Sequence, residues 1–173
     1  GIKERCIKKV GMHFSIVDGE VPLAKNKDIK ILLQGDRFPK SAQPVSLLLK
    51  SFFARKLIKK AVKIEFDAQY SRIKNEGLSV SHLDSHQHIH LFWGIADVLA
   101  EKCEEKGIPY IRLPVTESFG LKGIMIKYLG NRLKNICKAK TVKAVTSFGY
   151  DTTGGNNTST IEGHILSKGK DRI

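Results

Sequence analysis

Residues 82–90 read HLDSHQHIH, placing four of the chain's six histidines and an aspartate in nine positions. In an extended strand, side chains two residues apart share a face. The alternation predicts that His82, Asp84, His86, His88 and His90 project one way, while Leu83, Ser85, Gln87 and Ile89 project the other. Such a row makes a poor core, because a buried imidazole without a partner costs stability. It makes a good wall for a metal or proton-transfer site.

Outward from this strand the pattern alternates. KKVGMHFSIV (8–17) reads as a strand delivering His13 near its end, and residues 18–45, broken by Asp18-Gly19, Gly35-Asp36 and three prolines, read as a long connection. Ser46 to about Glu76 reads as a helix whose apolar stripe is Leu49, Phe53, Leu57, Ala61, Ile64 and Ala68, closed by Gly77. A helix over 92–106 follows, with Phe92, Ala96, Leu99 and Cys103 inward and Lys102, Glu104 and Glu105 outward. IPYIRLP (108–114) is a strand, 121–140 a basic helix with a break expected near Gly130, and KAVTSFGY (143–150) a strand. This order predicts an α/β domain with a largely parallel sheet over 1–150, and an atypical polar tail over 151–173.

At 173 residues, with 41% hydrophobic and 27% charged residues, the chain is long enough for one packed core and is not of disordered composition. The expected location is the cytoplasm: no apolar run spans a membrane, no secretory signal is visible, and three scattered cysteines suggest reduced thiols. The net charge of +13 is concentrated in segments 50–63 and 122–143. Without a nucleic-acid motif beside it, that charge reads as solvated basic helix faces rather than a nucleic-acid footprint.

In parallel α/β folds functional groups gather at the carboxyl ends of strands. His13 and the 82–90 cluster both lie there, and two imidazoles from different strands suit one divalent ion of the zinc type. Hydrolysis of an amide or ester is the matching reaction class. Arg112, in YIRLP, either holds a substrate hydroxyl or orients a carboxylate, or else forms a structural ion pair, and Trp93 or Phe92 either stacks on a ligand or packs in the core.

HLDSHQHIHLF, GMHFSIVDGEVPL (11–23), FDAQYSRI and GIPYIRLP together resemble the YdjC-like carbohydrate deacetylases, the family of chitooligosaccharide deacetylase. The resemblance implies a distorted (β/α) barrel that removes N-acetyl groups from sugars with a divalent metal, Mg2+ by resemblance or Zn2+ by ligand type. It implies His13 and His86 as metal ligands. From their positions beside these, Asp84 reads as a carboxylate that faces substrate, orients a ligand or is simply structural, His88 as orienting an acetylated sugar or shuttling protons, and Arg112 as a further substrate-side residue. A homodimer is compatible with the resemblance, and neither a membrane nor a nucleic acid is an expected partner. The family's Asp-Asp pair, which supplies a third ligand and the general base, occurs nowhere in the chain, and His164 is followed by Ile rather than Pro. The expectation is therefore a barrel truncated at both ends with its catalytic base unknown. The alternatives are an inactive fragment keeping a two-histidine metal or sugar site, and a basic nucleic-acid binder.

Overall fold

The computed structural model describes residues 8–40, 52–114 and 120–147. Four strands, β1 (Lys9–Phe14), β2 (Ser79–Ser85), β3 (Tyr110–Pro114) and β4 (Lys143–Ser147), form one parallel sheet in the order β1-β2-β3-β4. Helices α1 (Arg55–Asn75), α2 (Ile95–Glu105) and α3 (Leu121–Lys138) make the three crossovers. When strand order follows chain order, right-handed crossovers place every helix on the same face. That face carries Met12, Phe14, Leu83 and Ile111, all buried. His13, His82 and Tyr110 are exposed on the opposite face. Purely parallel sheets are normally covered on both sides; among the described residues no helix packs on this second face, and the site lies on it. Four strands do not close a barrel.

The expected strands and helices are present with shorter bounds. The polar tail over 151–173, the residues 148–150 and the segment 46–51 of the first helix lie outside the described residues. Helix α3 runs through Gly130 without a break, because a single glycine in a helix costs only about 1 kcal/mol and its neighbours Leu129 and Leu133 are buried.

The stripe expected for α1 is rotated. Its buried residues are Ile58, Ala61, Val62, Glu65 and Phe66, whereas Phe53 and Leu57 are exposed. The difference lies in Glu65. Apolar periodicity turns a glutamate outward, but this fully buried carboxylate accepts from the backbone N–H of Leu23 at 3.1 Å and Ala24 at 3.0 Å, and from Gln69 at 2.8 Å. Gln69 in turn donates to Ser15 O at 2.7 Å. Helix α1 thus anchors the loop that leaves β1. Glu65→Leu keeps the volume but strands two backbone donors, so we expect a loss of about 2–4 kcal/mol, read as a lower urea midpoint.

Lys102, expected outward, is buried beneath Asp67 at 2.8 Å and Glu105 at 2.9 Å. Its aliphatic stem packs while its ammonium stays paired. The basic helices otherwise show cationic faces that are exposed or paired, as in Lys60–Asp28 at 2.8 Å and Arg132–Asp97 at 2.9 Å. No described helix is long and apolar enough to cross a membrane. Cys103 and Cys137 are free and buried. Burial pushes the Cys103 thiol far up and the Cys137 thiol up to about 11. A thiolate is the reactive form, so both should resist alkylation at pH 8 until denaturant is added, as mass spectrometry would report.

Candidate metal and sugar site

The site begins with a register shift. Val10 pairs with Val80, but Gly11 pairs with His82, so Ser81 is the extra residue of a β-bulge. Ser81 Oγ donates to Val10 O at 3.1 Å. Without this shift His13 would face Leu83. With it, His13 stands opposite Asp84. Gly11 leaves room for the His82 ring to lie over β1, since a Cβ there would be 2.4 Å from its Nε2.

Leu83 of β2 aligns with Ile111 of β3, which brings Asp84 and Arg112 side by side. The result is a row across three strands. His13 Nδ1 lies 3.4 Å from Asp84 Oδ2, and Arg112 Nη1 donates to the same oxygen at 2.8 Å. The backbone N–H of Ser85 donates to Asp84 Oδ1 at 2.7 Å. Partial burial alone would raise the Asp84 carboxyl. The hydrogen bonds from Arg112 and Ser85, with the guanidinium charge, outweigh it and hold the group below the usual 3.8. Arg112 is thus ion-paired with Asp84.

Alternation stops at Ser85. His86–Leu91 is a 3-10 segment, with Gln87 (φ 51°) and His88 (φ 56°) in the left-handed region. The row expected over 82–90 is therefore split. His82 and Asp84 keep a common side. His86 turns toward β1, and its Nδ1 lies 3.4 Å from His13 Nε2, with the rings edge to face. His90 turns into the core and is fully buried. Its backbone N–H donates to Ser85 Oγ at 3.0 Å, and its Nδ1 lies 2.5 Å from the same hydroxyl. Burial first, and the nearby His88 second, push the His90 imidazole down to about 3 against the pull of Asp84. His88 is half-buried, its ring edge-on to His90 at 5.9 Å.

Two sets of donors result. His13 Nε2 and His86 Nδ1 are separated by 3.4 Å. Two nitrogens about 2.0–2.1 Å from a tetrahedral zinc lie roughly 3.3 Å apart, so the pair fits one shared ion. Asp84, His88 and His90 form a possible metal-binding triad, one donor atom each within 4.8 Å of one another. That set is looser, and both Asp84 oxygens already accept hydrogen bonds.

Two hollows lie near the three-strand row, one beside Asp84 and Arg112 and one beside His13. One of about 450 Å3 is lined by His82, Asp84, Tyr110, Arg112 and Thr146 among others. The second, about 310 Å3, lies beside His13 with Glu20, Gln69 and Arg72. Phe92 is buried, and Trp93 packs toward Phe52 and Tyr128 at ring distances of 5.8 and 6.5 Å.

One residue escaped the sequence reading. Asp18 Oδ2 lies 3.4 Å from His86 Nε2. Asp18-Gly19 was legible only as a turn, and nothing local to it points to a histidine far along the chain.

The sequence pattern of the family described as "YdjC-like protein" matches residues 2–168. The chain is similar to the carbohydrate deacetylase of Xenopus laevis, at 30% identity over 107 residues, covering 61% of this chain and 34% of that protein. It is 38% identical over 60 residues to the carbohydrate deacetylase of Mus musculus, covering 34% of this chain and 19% of that one. The chitooligosaccharide deacetylase of Proteus mirabilis is 37% identical over 49 residues, 28% of this chain and 19% of that protein. The chain thus spans about a fifth to two-fifths of the length of the curated relatives it matches. No solved structure matches it.

Proposed function

Because the chain belongs to the YdjC-like protein family, matched over residues 2–168, we propose that it forms the part of a carbohydrate N-deacetylase that holds a divalent cation and an acetylated sugar. The observation that carries this reading is the approach of His13 Nε2 and His86 Nδ1 to 3.4 Å from segments 73 residues apart. At this distance one ring nitrogen donates to the other, or, when both present lone pairs, a cation fits between them.

His13 and His86 would hold the cation through these inward nitrogens. Imidazole donors suit zinc better than magnesium, which prefers oxygen. A bound divalent ion supplies Lewis acidity, polarising a carbonyl and making water nucleophilic at neutral pH. The residues of the chain do the positioning. Asp84 lies beside His13 Nδ1 and is itself held by Arg112, so the His13 ring is oriented from behind. The hollow of about 450 Å3 beside this row offers Tyr110, Arg112 and Thr146 to sugar hydroxyls. His88 is assigned to substrate orientation or proton transfer. The sequential order of the four parallel strands supports placing them as consecutive strands of a distorted (β/α) barrel.

A second reading, binding without turnover, has its own support. The carboxylates nearest the two rings, Asp84 and Asp18, both lie against ring nitrogens, where they orient imidazoles rather than take a proton from water. The test is zinc titration of the chain together with acetate release from N-acetylated mono- and oligosaccharides. Zinc uptake with acetate release supports the deacetylase reading. Uptake of zinc and sugar without release supports the second, and failure to take up any divalent cation overturns both.

A further inference from the structure

Asp18 and Gly19 sit in a turn with φ of 73° and 71°. The turn is held from several sides. Arg37 donates to Gly19 O at 3.2 Å, Gly19 N–H to Pro39 O at 3.3 Å, and Phe38 N–H to Glu20 O at 2.9 Å. Ile16 and Val17 are buried just before it. The effect is to place Asp18 Oδ2 at 3.4 Å from His86 Nε2.

The same relation exists on the other ring, where Asp84 Oδ2 lies 3.4 Å from His13 Nδ1. The two rings meet through His13 Nε2 and His86 Nδ1. Each imidazole therefore carries a carboxylate on the nitrogen turned away from its partner. A neutral imidazole has one N–H, and the hydrogen bond made by one nitrogen decides which nitrogen keeps its lone pair. Asp18 Oδ2 stands at ion-pair distance from Nε2 of His86, and a proton on Nε2 facing that carboxylate would leave the lone pair on Nδ1.

We propose that Asp18 is a positioning residue for His86, the counterpart of Asp84 on His13, fixing the tautomer and rotation with which His86 meets a cation. This rests on the two-histidine reading above. The turn alone does not account for the contact. Asp-Gly suits paired positive φ values, but that preference says nothing about where the carboxylate points. Nor is stability the reason for it. The side chains of Asp18 and His86 are 49% and 36% exposed, and exposed ion pairs contribute little to folding.

Asp18→Gly separates orientation from structure, because the two effects have opposite signs. Glycine adopts positive φ without strain, so the melting temperature should hold or rise. Zinc affinity, measured by calorimetry on the full chain, should fall about 10- to 100-fold, the usual cost of losing a partner behind a ligand. In the metal-free protein, long-range 1H–15N correlations should show His86 protonated on Nε2. In Asp18→Gly they should show a tautomer mixture at His86 and no change at His13. Unchanged zinc affinity in Asp18→Gly, or a loss that merely follows a lower melting temperature, overturns the proposal. His13→Ala and His86→Ala distinguish the levels. If both lose zinc while Asp18→Gly does not, only the role of Asp18 fails; if neither loses zinc, the two-histidine centre fails and this proposal with it.

Discussion

Replacing His86 with alanine should lower the affinity of the chain for Zn2+ or Co2+ by more than about 100-fold, and His13→Ala should do the same. Losing a residue that merely orients a ligand costs about 10- to 100-fold, and losing the ligand itself should exceed that. The double variant should bind little worse than either single one, because the two rings act on one ion and their effects are not additive. Calorimetry, or the visible absorption of bound Co2+, would measure this. The fold should survive: the side chains of His13 and His86 are 54% and 36% exposed, so truncation opens no cavity in the core. Circular dichroism and the urea midpoint should therefore match those of the unaltered chain. Wild-type affinity in either variant would refute the assignment.

Acid should destabilise the metal-free protein well above the range in which carboxylates titrate, and His90 should be the cause. Its folded pKa is pushed from 6.5 to about 3. The unfolded chain therefore binds a proton near pH 6.5 that the folded chain refuses. Stability falls wherever the unfolded state binds more protons. The contribution is thus complete above pH 6.5 and is lost as pH falls toward 3, for a total on the order of 4 kcal/mol. Urea unfolding at pH 7, 5.5 and 4.5, with chelator present, should show the slope. His90→Gln should be weaker at pH 7, since it disturbs the Ser85 contact, but nearly flat across that window. An equal slope in His90→Gln would sink the explanation. Asp84 acts separately: its pKa is lowered from 3.8, so its contribution is present above that value and disappears only in stronger acid.

The order of elements was legible because it depends on neighbours in the chain. Apolar spacing, Gly77 at a helix end, and short β-rich runs located four strands and three helices. The stripe of α1 was misplaced because Glu65 is inward, and its partners are backbone groups of a loop about forty residues earlier. The histidine row held its alternation only to Ser85. Two successive left-handed residues, Gln87 and His88, then broke the extended geometry on which the spacing argument depends. Ordinary side chains rarely adopt that conformation, so nothing in the letters announced it.

The sequence by itself determined which chemical groups the chain owns and where each enters along an α/β succession, since propensity and periodicity act over a few residues. Only the tertiary structure decided which atoms meet. The bulge at Ser81 sets His13 against Asp84, the turn after Ser85 swings His86 toward β1, and the loop tied to Glu65 carries Asp18 behind it. Each depends on contacts between segments distant in the chain, where close packing and hydrogen-bond satisfaction choose among conformations that local preference leaves open.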